Sequence, residues 1–361
     1  MTTDVSSNAA TQQPAKQLGW DLLRCICAFE ICLVHVTLPA WFTMDTAWNA
    51  GSVSIALARA GTIGFLMLAG ALLVPRSDEM LRRYVPYRLR AWLQNIVIAY
   101  AIYLVFGLLI HDGEPGSLTL FTLVNLHTGH FWFFWAIGIA YIAVIAMRWA
   151  VRRLRPLPER TQTALLLGSV AVFFAGLAVV TANGGTYGKL TPLLLLIYCG
   201  HVWTGYVLGR VFPRGSWFGL ALIALGVAAA VLGTQAISTE AGHNVTYLNH
   251  RGTLFIGLVA FGQVLLILRI GRAISHARLK TAIANLSRYT IGIFIIHPML
   301  LEISDWDEWW DATGLPIALL FPLAGAALMA ASLVVVWTAQ AGIAALLERA
   351  TRLRATRLRA A

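Results

Sequence analysis

Long apolar segments alternate with mostly short polar segments along the whole chain. An apolar segment of about 20 residues is long enough to cross a bilayer as a helix. Only helices and closed barrels satisfy their backbone hydrogen bonds in lipid. The pattern therefore predicts an all-α fold, a polytopic transmembrane bundle of about ten helices. The predicted spans are 18–40, 52–74, 91–110, 131–150, 162–182, 190–209, 216–237, 252–268, 282–302 and 315–347. The last span is too long for one simple crossing, so we expect it to tilt or to extend beyond the bilayer.

The composition excludes several classes of protein. Of the 361 residues, 58% are apolar and only 12% are charged, and the mean hydropathy is +0.72. A soluble domain has about 25% charged residues, so a water-soluble enzyme, a disulfide scaffold and a disordered chain are all excluded. The four cysteines lie inside apolar segments without zinc-site spacing. We interpret them as packing residues and predict no metal site.

The charged residues are distributed unequally between the two sides of the predicted bundle. The net charge is +11, and most basic residues cluster in alternate loops such as 75–90 and 148–160. The opposite loops are mainly acidic, with Lys189 and Arg251 as their only basic residues. The positive-inside rule therefore places both termini in the cytosol. This layout predicts contact with anionic membrane lipids and not with nucleic acid.

The two ends of the chain are predicted to be short tails on one membrane domain, residues 18–347. Residues 1–17 are polar and lack the features of a signal peptide, so we expect a disordered cytosolic tail. Residues 348–361 form a basic cytosolic tail in which TRLRA occurs twice. We interpret this repeat as a topology anchor, with docking to the inner leaflet as the alternative.

The first span carries four ionisable residues, Asp21, Arg24, Glu30 and His35. Charges in hydrocarbon are costly, so each is a candidate site residue. Helical geometry places Arg24 and His35 on one face, about 16 Å apart along the axis. Asp21 lies one turn before Arg24 and is positioned for an ion pair with it. Glu30 points away from this face, and we interpret it as a packing or partner-paired residue.

Structural alternatives exist for the same residues. Arg24 could be an anchor that extends its charge to the membrane surface. His35 could be a hydrogen-bonded histidine in a helix interface. Their shared face favours a common site over two unrelated structural roles. His201, which has no comparable partner in its span, is interpreted as a core histidine with its hydrogen bonds satisfied.

Three other spans carry candidate residues. Arg59 in the second span is expected to face an aqueous cavity. His130 opens the sequence HFWFFW, whose aromatic residues could equally form an interfacial belt. In the ninth span, Arg288 and His297 lie at depths that match those of Arg24 and His35. The two arginines lie nearer the cytosolic surface and the two histidines lie deeper in the bilayer. This arrangement suggests a polar shaft through the bundle.

Four segments resemble the acyltransferase family 3 membrane proteins, in order and in spacing. They are GWDLLRCICAFEICLVH (19–35), with the arginine, ten residues and histidine typical of the family, TIGFLMLAG (62–70), HFWFFWAIGIAY (130–141) and LSRYTIGIFIIHP (286–298). The arginine-rich LRRYVPYRLR (81–90) is also similar. Glu30 departs from the family pattern, as does Ala69, where many relatives have serine.

The resemblance implies a bacterial inner-membrane enzyme that moves an acyl group, often acetyl, from cytosolic acyl-CoA to a cell-surface carbohydrate or its lipid-linked precursor. Acetyl-CoA or another acyl-CoA is then a co-substrate, and no bound cofactor is expected. His35 is the expected general base or transient acyl carrier, with Arg24 as the second catalytic residue. The expected substrate-binding residues are Asp21, Arg59, Phe65, Arg82, Arg83, His130, Trp132, Arg288 and His297.

Within this set, Arg82, Arg83 and Arg288 are expected near the CoA phosphates. Arg59, His130, Trp132 and His297 are expected on the acceptor side. The resemblance implies that the membrane domain either completes the transfer itself or hands it over to a partner. Polysaccharide-assembly proteins are therefore possible partners.

Other functions fit the same composition. A secondary transporter or a flippase for a lipid-linked sugar also uses buried arginine and histidine in a bundle of this size. The chain shows no clear repeated halves, which many transporters have. A structural subunit of an export complex leaves the four ordered segments unexplained.

Overall fold

The computed structural model describes residues 15–44, 47–75, 78–110, 132–184, 191–304 and 316–360. All regular secondary structure in these ranges is helical. The helices are α1 (Ala15–Thr43), α2 (Trp48–Ala58), α3 (Ala60–Leu73), α4 (Asp78–Ile110), α5 (Trp132–Leu154), α6 (Glu159–Ala182), α7 (Thr191–Val211), α8 (Phe218–Ala241), α9 (Leu254–Ala273), α10 (Ala277–Leu286), α11 (Thr290–Glu302) and α12 (Ile317–Ala360). A short 3-10 helix, Tyr247–Asn249, precedes α9.

The predicted fold, a polytopic helical membrane bundle, is confirmed. Nine segments in the described ranges are long and apolar enough to cross a membrane. The predicted span 282–302 differs, because it is divided into α10 and the 13-residue α11. The final helix is 44 residues long, and its apolar part ends at Leu346, so it does extend past one crossing. The cytosolic placement of the termini stays a prediction.

Two segments predicted as loops continue helices. The arginine-rich stretch after the second span forms the first turns of α4. Arg148, predicted at the start of a loop, is buried on α5. Its guanidinium donates a hydrogen bond of 2.6 Å to the carbonyl of Val74, at the end of α3. This arginine therefore satisfies a carbonyl that the end of α3 leaves without a helical donor.

Close helix packing brings α3 against α1 and α7. A Cβ added at Gly70 would meet the backbone carbonyl of Val202, and one added at Gly205 would meet that of Met67. Gly61 and Gly64 lie in the same way against Cys27 of α1. Small residues permit such approaches between membrane helices, so these glycines act in packing.

Glu30 of α1 is buried where this helix packs against the end of α2 and against α9. Gln263 of α9 donates a short hydrogen bond to its carboxyl group and also reaches the carbonyl of Leu57, at 3.3 Å. Glu30 is thus a partner-paired packing residue, as predicted. The hydrogen bond from Gln263 to Leu57 therefore links α9 to α2. Leu57 lies two residues before Arg59, which separates α2 from α3.

Candidate functional site

Two cavities lie beside α1. The first, which we call the arginine cavity, has a volume of about 490 Å³ and is lined by Arg24, Phe65, Phe133, Ser287, Arg288 and Phe294, among others. The second, the histidine cavity, has a volume of about 170 Å³ and is lined by His35, Arg59, Thr62, Trp132, Arg251 and Phe294, among others. Helix α1 contributes to the walls of both cavities, with Arg24 in the first and His35 in the second.

A polar cluster positions Arg24 in the arginine cavity. The guanidinium donates a hydrogen bond of 2.8 Å to Oδ1 of Asp21, one turn earlier on α1. Ser287 Oγ lies 3.3 Å from the same carboxylate oxygen. The predicted ion pair is therefore present, and it links α1 to the break between α10 and α11. Arg288 follows in that break, so both predicted arginines line one cavity.

The two predicted histidines meet across the interface of α1 and α11. The ring centroids of His35 and His297 are 5.2 Å apart, and the rings are tilted by 38°. His297 is fully buried, with Nδ1 3.1 Å from the carbonyl of Ile293. His35 is half-buried and lines the histidine cavity. If Nδ1 of His297 carries the proton, its Nε2 is a hydrogen-bond acceptor.

A cluster of phenylalanines separates the polar groups of the two cavities. Phe294 lines both of them. Its ring packs 4.9 Å from that of Phe133 and 5.9 Å from that of His297. Phe65 packs in turn against Phe133, at 5.7 Å. The polar shaft suggested by the sequence is thus divided into two cavities by aromatic side chains.

Two arginines face the histidine cavity. Arg59 lies where α2 gives way to α3, with its guanidinium 5.4 Å from the centre of the Trp41 ring. Arg251 lies just before α9, and its guanidinium is 3.5 Å from the centre of the Trp132 ring. Its Nε also donates a hydrogen bond of 3.0 Å to the hydroxyl of Tyr198. Both guanidinium groups are therefore oriented by aromatic side chains.

The sequence did not identify Arg251, Tyr198 or Phe294 as candidates. One feature of the sequence could have identified Arg251: it is one of only two basic residues in the mainly acidic loops. No signal marked Tyr198 or Phe294 among the many aromatic residues of the spans. His201 is fully buried beside the edge of Phe173, which agrees with the core position predicted for it.

The predicted site residues fall into three groups. Arg24, Phe65 and Arg288 line the arginine cavity, with Asp21 buried behind Arg24. His35, Arg59 and Trp132 line the histidine cavity, and His297 contacts His35. The third group cannot be placed: Arg82 and Arg83 belong to α4 but their side chains lie outside the described part, and His130 lies outside the described residues.

Comparison with known proteins gave one result. A family model described as an acyltransferase domain matches residues 17–340. The match covers α1 to α11 and part of α12, and so includes both cavities. Neither the curated proteins nor the solved structures gave a significant match.

Proposed function

The chain belongs to acyltransferase family 3, and on that premise we propose that it transfers an acyl group, normally acetyl, from acyl-CoA to a carbohydrate hydroxyl. The acceptor is a cell-surface or exported polysaccharide or its lipid-linked precursor. The protein is a multi-pass membrane protein, and we place it in the bacterial inner membrane with the arginine cavity towards the cytosol. Family membership favours an acyltransferase over the transporter that fits the same composition.

One observation carries this proposal. His35, whose ring contacts the buried His297, lines one cavity, and a pair of arginines lines a neighbouring cavity that shares Phe294 with the first. Histidine is the side chain most often used for proton transfer near neutral pH. Arginine is well suited to phosphate. The two cavities therefore supply, side by side, the groups needed for an acceptor hydroxyl and for a phosphate-bearing donor.

The arginine cavity is the proposed donor site. Its volume of about 490 Å³ falls in the range of about 300–1,000 Å³ that is common for ligand pockets. Arg24 and Arg288 offer two guanidinium groups, and the amino end of α11 begins at Thr290 on the same wall. Helix amino ends favour anions. Arg82 and Arg83 of α4 are further proposed contacts for the CoA phosphates, because guanidinium groups suit phosphate.

The proposed chemistry needs one base close to the acceptor. His35 takes the proton of the acceptor hydroxyl while the oxygen attacks the thioester carbonyl carbon. A carbon–oxygen bond forms and the carbon–sulfur bond breaks, and CoA leaves as a thiolate that receives the proton. A transient acyl group on His35 is the alternative route, with the same net balance. His297 orients the ring of His35 through the contact at 5.2 Å.

The proposal is tested first with the purified protein. In detergent and without any ion gradient, we expect it to transfer label from acetyl-CoA to extracted surface carbohydrate. In cells, deletion of the gene is expected to remove acetyl groups from surface polysaccharide, and the wild-type gene is expected to restore them. Unchanged acetyl content together with reduced polymer export would instead support the transporter.

Phe294 is expected to limit the length of the transferred acyl chain, because its ring lies on the wall between the two cavities. In Phe294→Ala the ratio of kcat/KM for hexanoyl-CoA to that for acetyl-CoA is expected to rise about tenfold or more, since a few methylene groups in a pocket discriminate at this level. Steady-state rates with acyl-CoA of increasing chain length give this ratio.

Controls separate this effect from misfolding. Loss of a buried phenylalanine commonly destabilises a protein by about 3–5 kcal/mol, so Phe294→Leu is measured as a milder variant. Phe218→Ala, at an exposed position on α8, is the matched control and should not alter the ratio. An unchanged ratio in folded Phe294→Ala and Phe294→Leu proteins would contradict the role of this ring.

A further inference from the structure

The described residues that line the histidine cavity bring two positive charges to it and no carboxylate. The two charges belong to Arg59 and Arg251. Their contacts are with the rings of Trp41 and Trp132 and with the hydroxyl of Tyr198. Within the described part of the chain, neither guanidinium forms an ion pair.

This arrangement is costly for a membrane-embedded bundle. Two like charges that face the same partly buried cavity repel each other more strongly than they do in water, and unpaired charges inside a bundle are unfavourable. The aromatic contacts orient the guanidinium groups but do not neutralise them. An anion in the cavity would offset both charges, and the planar donors of arginine match a phosphate or a carboxylate.

The position of the cavity assigns this anion to the acceptor. His35 lines the same cavity, so a molecule held by the two arginines has its hydroxyl groups near the proposed base. The phosphates of the donor already have Arg24 and Arg288 in the other cavity. The volume of about 170 Å³ lies below the usual range of about 300–1,000 Å³ for ligand pockets. The cavity therefore suits one unit of an acceptor and not a polymer segment.

We infer that Arg59 and Arg251 recognise an anionic group, a phosphate or a carboxylate, on the sugar that receives the acyl group. The inference rests on the proposed function and deepens it, because it narrows the acceptor to an acidic or phosphorylated carbohydrate. Arg251 becomes a specificity-determining residue that acts from the segment before α9, and Trp132 and Tyr198 are its positioning residues.

Binding measurements on the purified full-length protein test this inference. The probes are glucose, glucose 1-phosphate, glucuronic acid and inorganic phosphate, each titrated at constant ionic strength. We expect at least one of the two anionic sugars to bind about tenfold or more tightly than glucose. The preferred one shows whether the group is a phosphate or a carboxylate. Binding of acetyl-CoA and acyl transfer are measured on the same preparation as a separate readout of the proposed function.

Variants assign the preference to the two arginines. Arg251→Gln and Arg59→Gln are each expected to lower the affinity for the preferred anionic sugar about tenfold, with little change for glucose. Arg269→Gln is the matched control, since Arg269 faces a different tryptophan, Trp217, and does not line the histidine cavity. It should retain the preference.

Three results would overturn the inference. They are equal binding of glucose and both anionic sugars, an anion preference that survives both substitutions, and equal affinities for inorganic phosphate and the preferred anionic sugar. Any of them, in a protein that still binds acetyl-CoA and transfers acyl groups, rejects the acidic acceptor and leaves the proposed function intact. A wild-type protein without acetyl-CoA binding or acyl transfer rejects the proposed function itself.

Discussion

Replacing His35 with alanine is expected to abolish acyl transfer while the helical bundle stays folded in the membrane. His35 lines the histidine cavity and is only half-buried, so its loss leaves the packing of α1 largely intact. A positioned general base contributes about 10²–10⁴-fold to a rate. We expect kcat for labelled acetyl transfer to fall by about that factor, while binding of acetyl-CoA in the other cavity is retained.

Two further variants make this result interpretable. His35→Gln keeps a polar side chain of similar reach but cannot act as a base, and we expect it to be as inactive as the alanine variant. His276→Ala changes an exposed histidine at the start of α10 and should behave as the wild type. Retained acetylation of surface polysaccharide in a His35→Ala strain would contradict the catalytic role.

Replacing Arg24 is expected to weaken the use of acyl-CoA more than it affects the proton-transfer step. Arg24 lines the arginine cavity, and a hydrogen bond to a charged group contributes about 1.5–3 kcal/mol. KM for acetyl-CoA in Arg24→Ala is therefore expected to rise about 10- to 100-fold. Steady-state kinetics and direct binding of labelled CoA measure the change.

The alanine variant also leaves the buried carboxylate of Asp21 without its ion-pair partner. Because this is destabilising, Arg24→Lys is the more informative substitution. Lysine keeps a positive charge near Asp21 but lacks the planar fork, so we expect normal thermal stability with KM still raised. Arg278→Ala, at an exposed position on α10, is the control. A folded Arg24→Lys protein with wild-type KM and CoA affinity would exclude Arg24 from the donor site.

Helical periodicity was sufficient to predict much of the first helix. The eleven-residue spacing of Arg24 and His35 places both on one face of any regular helix, and the structure has each of them lining a cavity. The ion pair with Asp21 followed from the same local rule. The sequence predicts matching depths for Arg24 and Arg288 and for His35 and His297, and the contact of the two histidine rings agrees with the second pair.

Helical periodicity does not predict which segments far apart in the chain contact each other. The sequence predicts one continuous span across the break between α10 and α11, because the polar Ser287 and Arg288 are followed by a long apolar stretch. The ring of Phe294 divides the predicted shaft, although its sequence environment resembles that of any apolar residue in a span. Arg251 reaches the histidine cavity only because α9 packs against α1 and α3.

The sequence by itself therefore determined the helical membrane fold, most of its spans and the family, because bilayer thickness and helix periodicity act on local residue order. It also identified Arg24, His35, Arg288 and His297 as site candidates, since ionisable groups in hydrocarbon stand out by their cost. Only the tertiary structure decided that these residues serve two cavities and that Arg59 and Arg251 share one of them. Those relations depend on how helices far apart in the chain pack side by side, and the linear order of residues does not specify which faces meet.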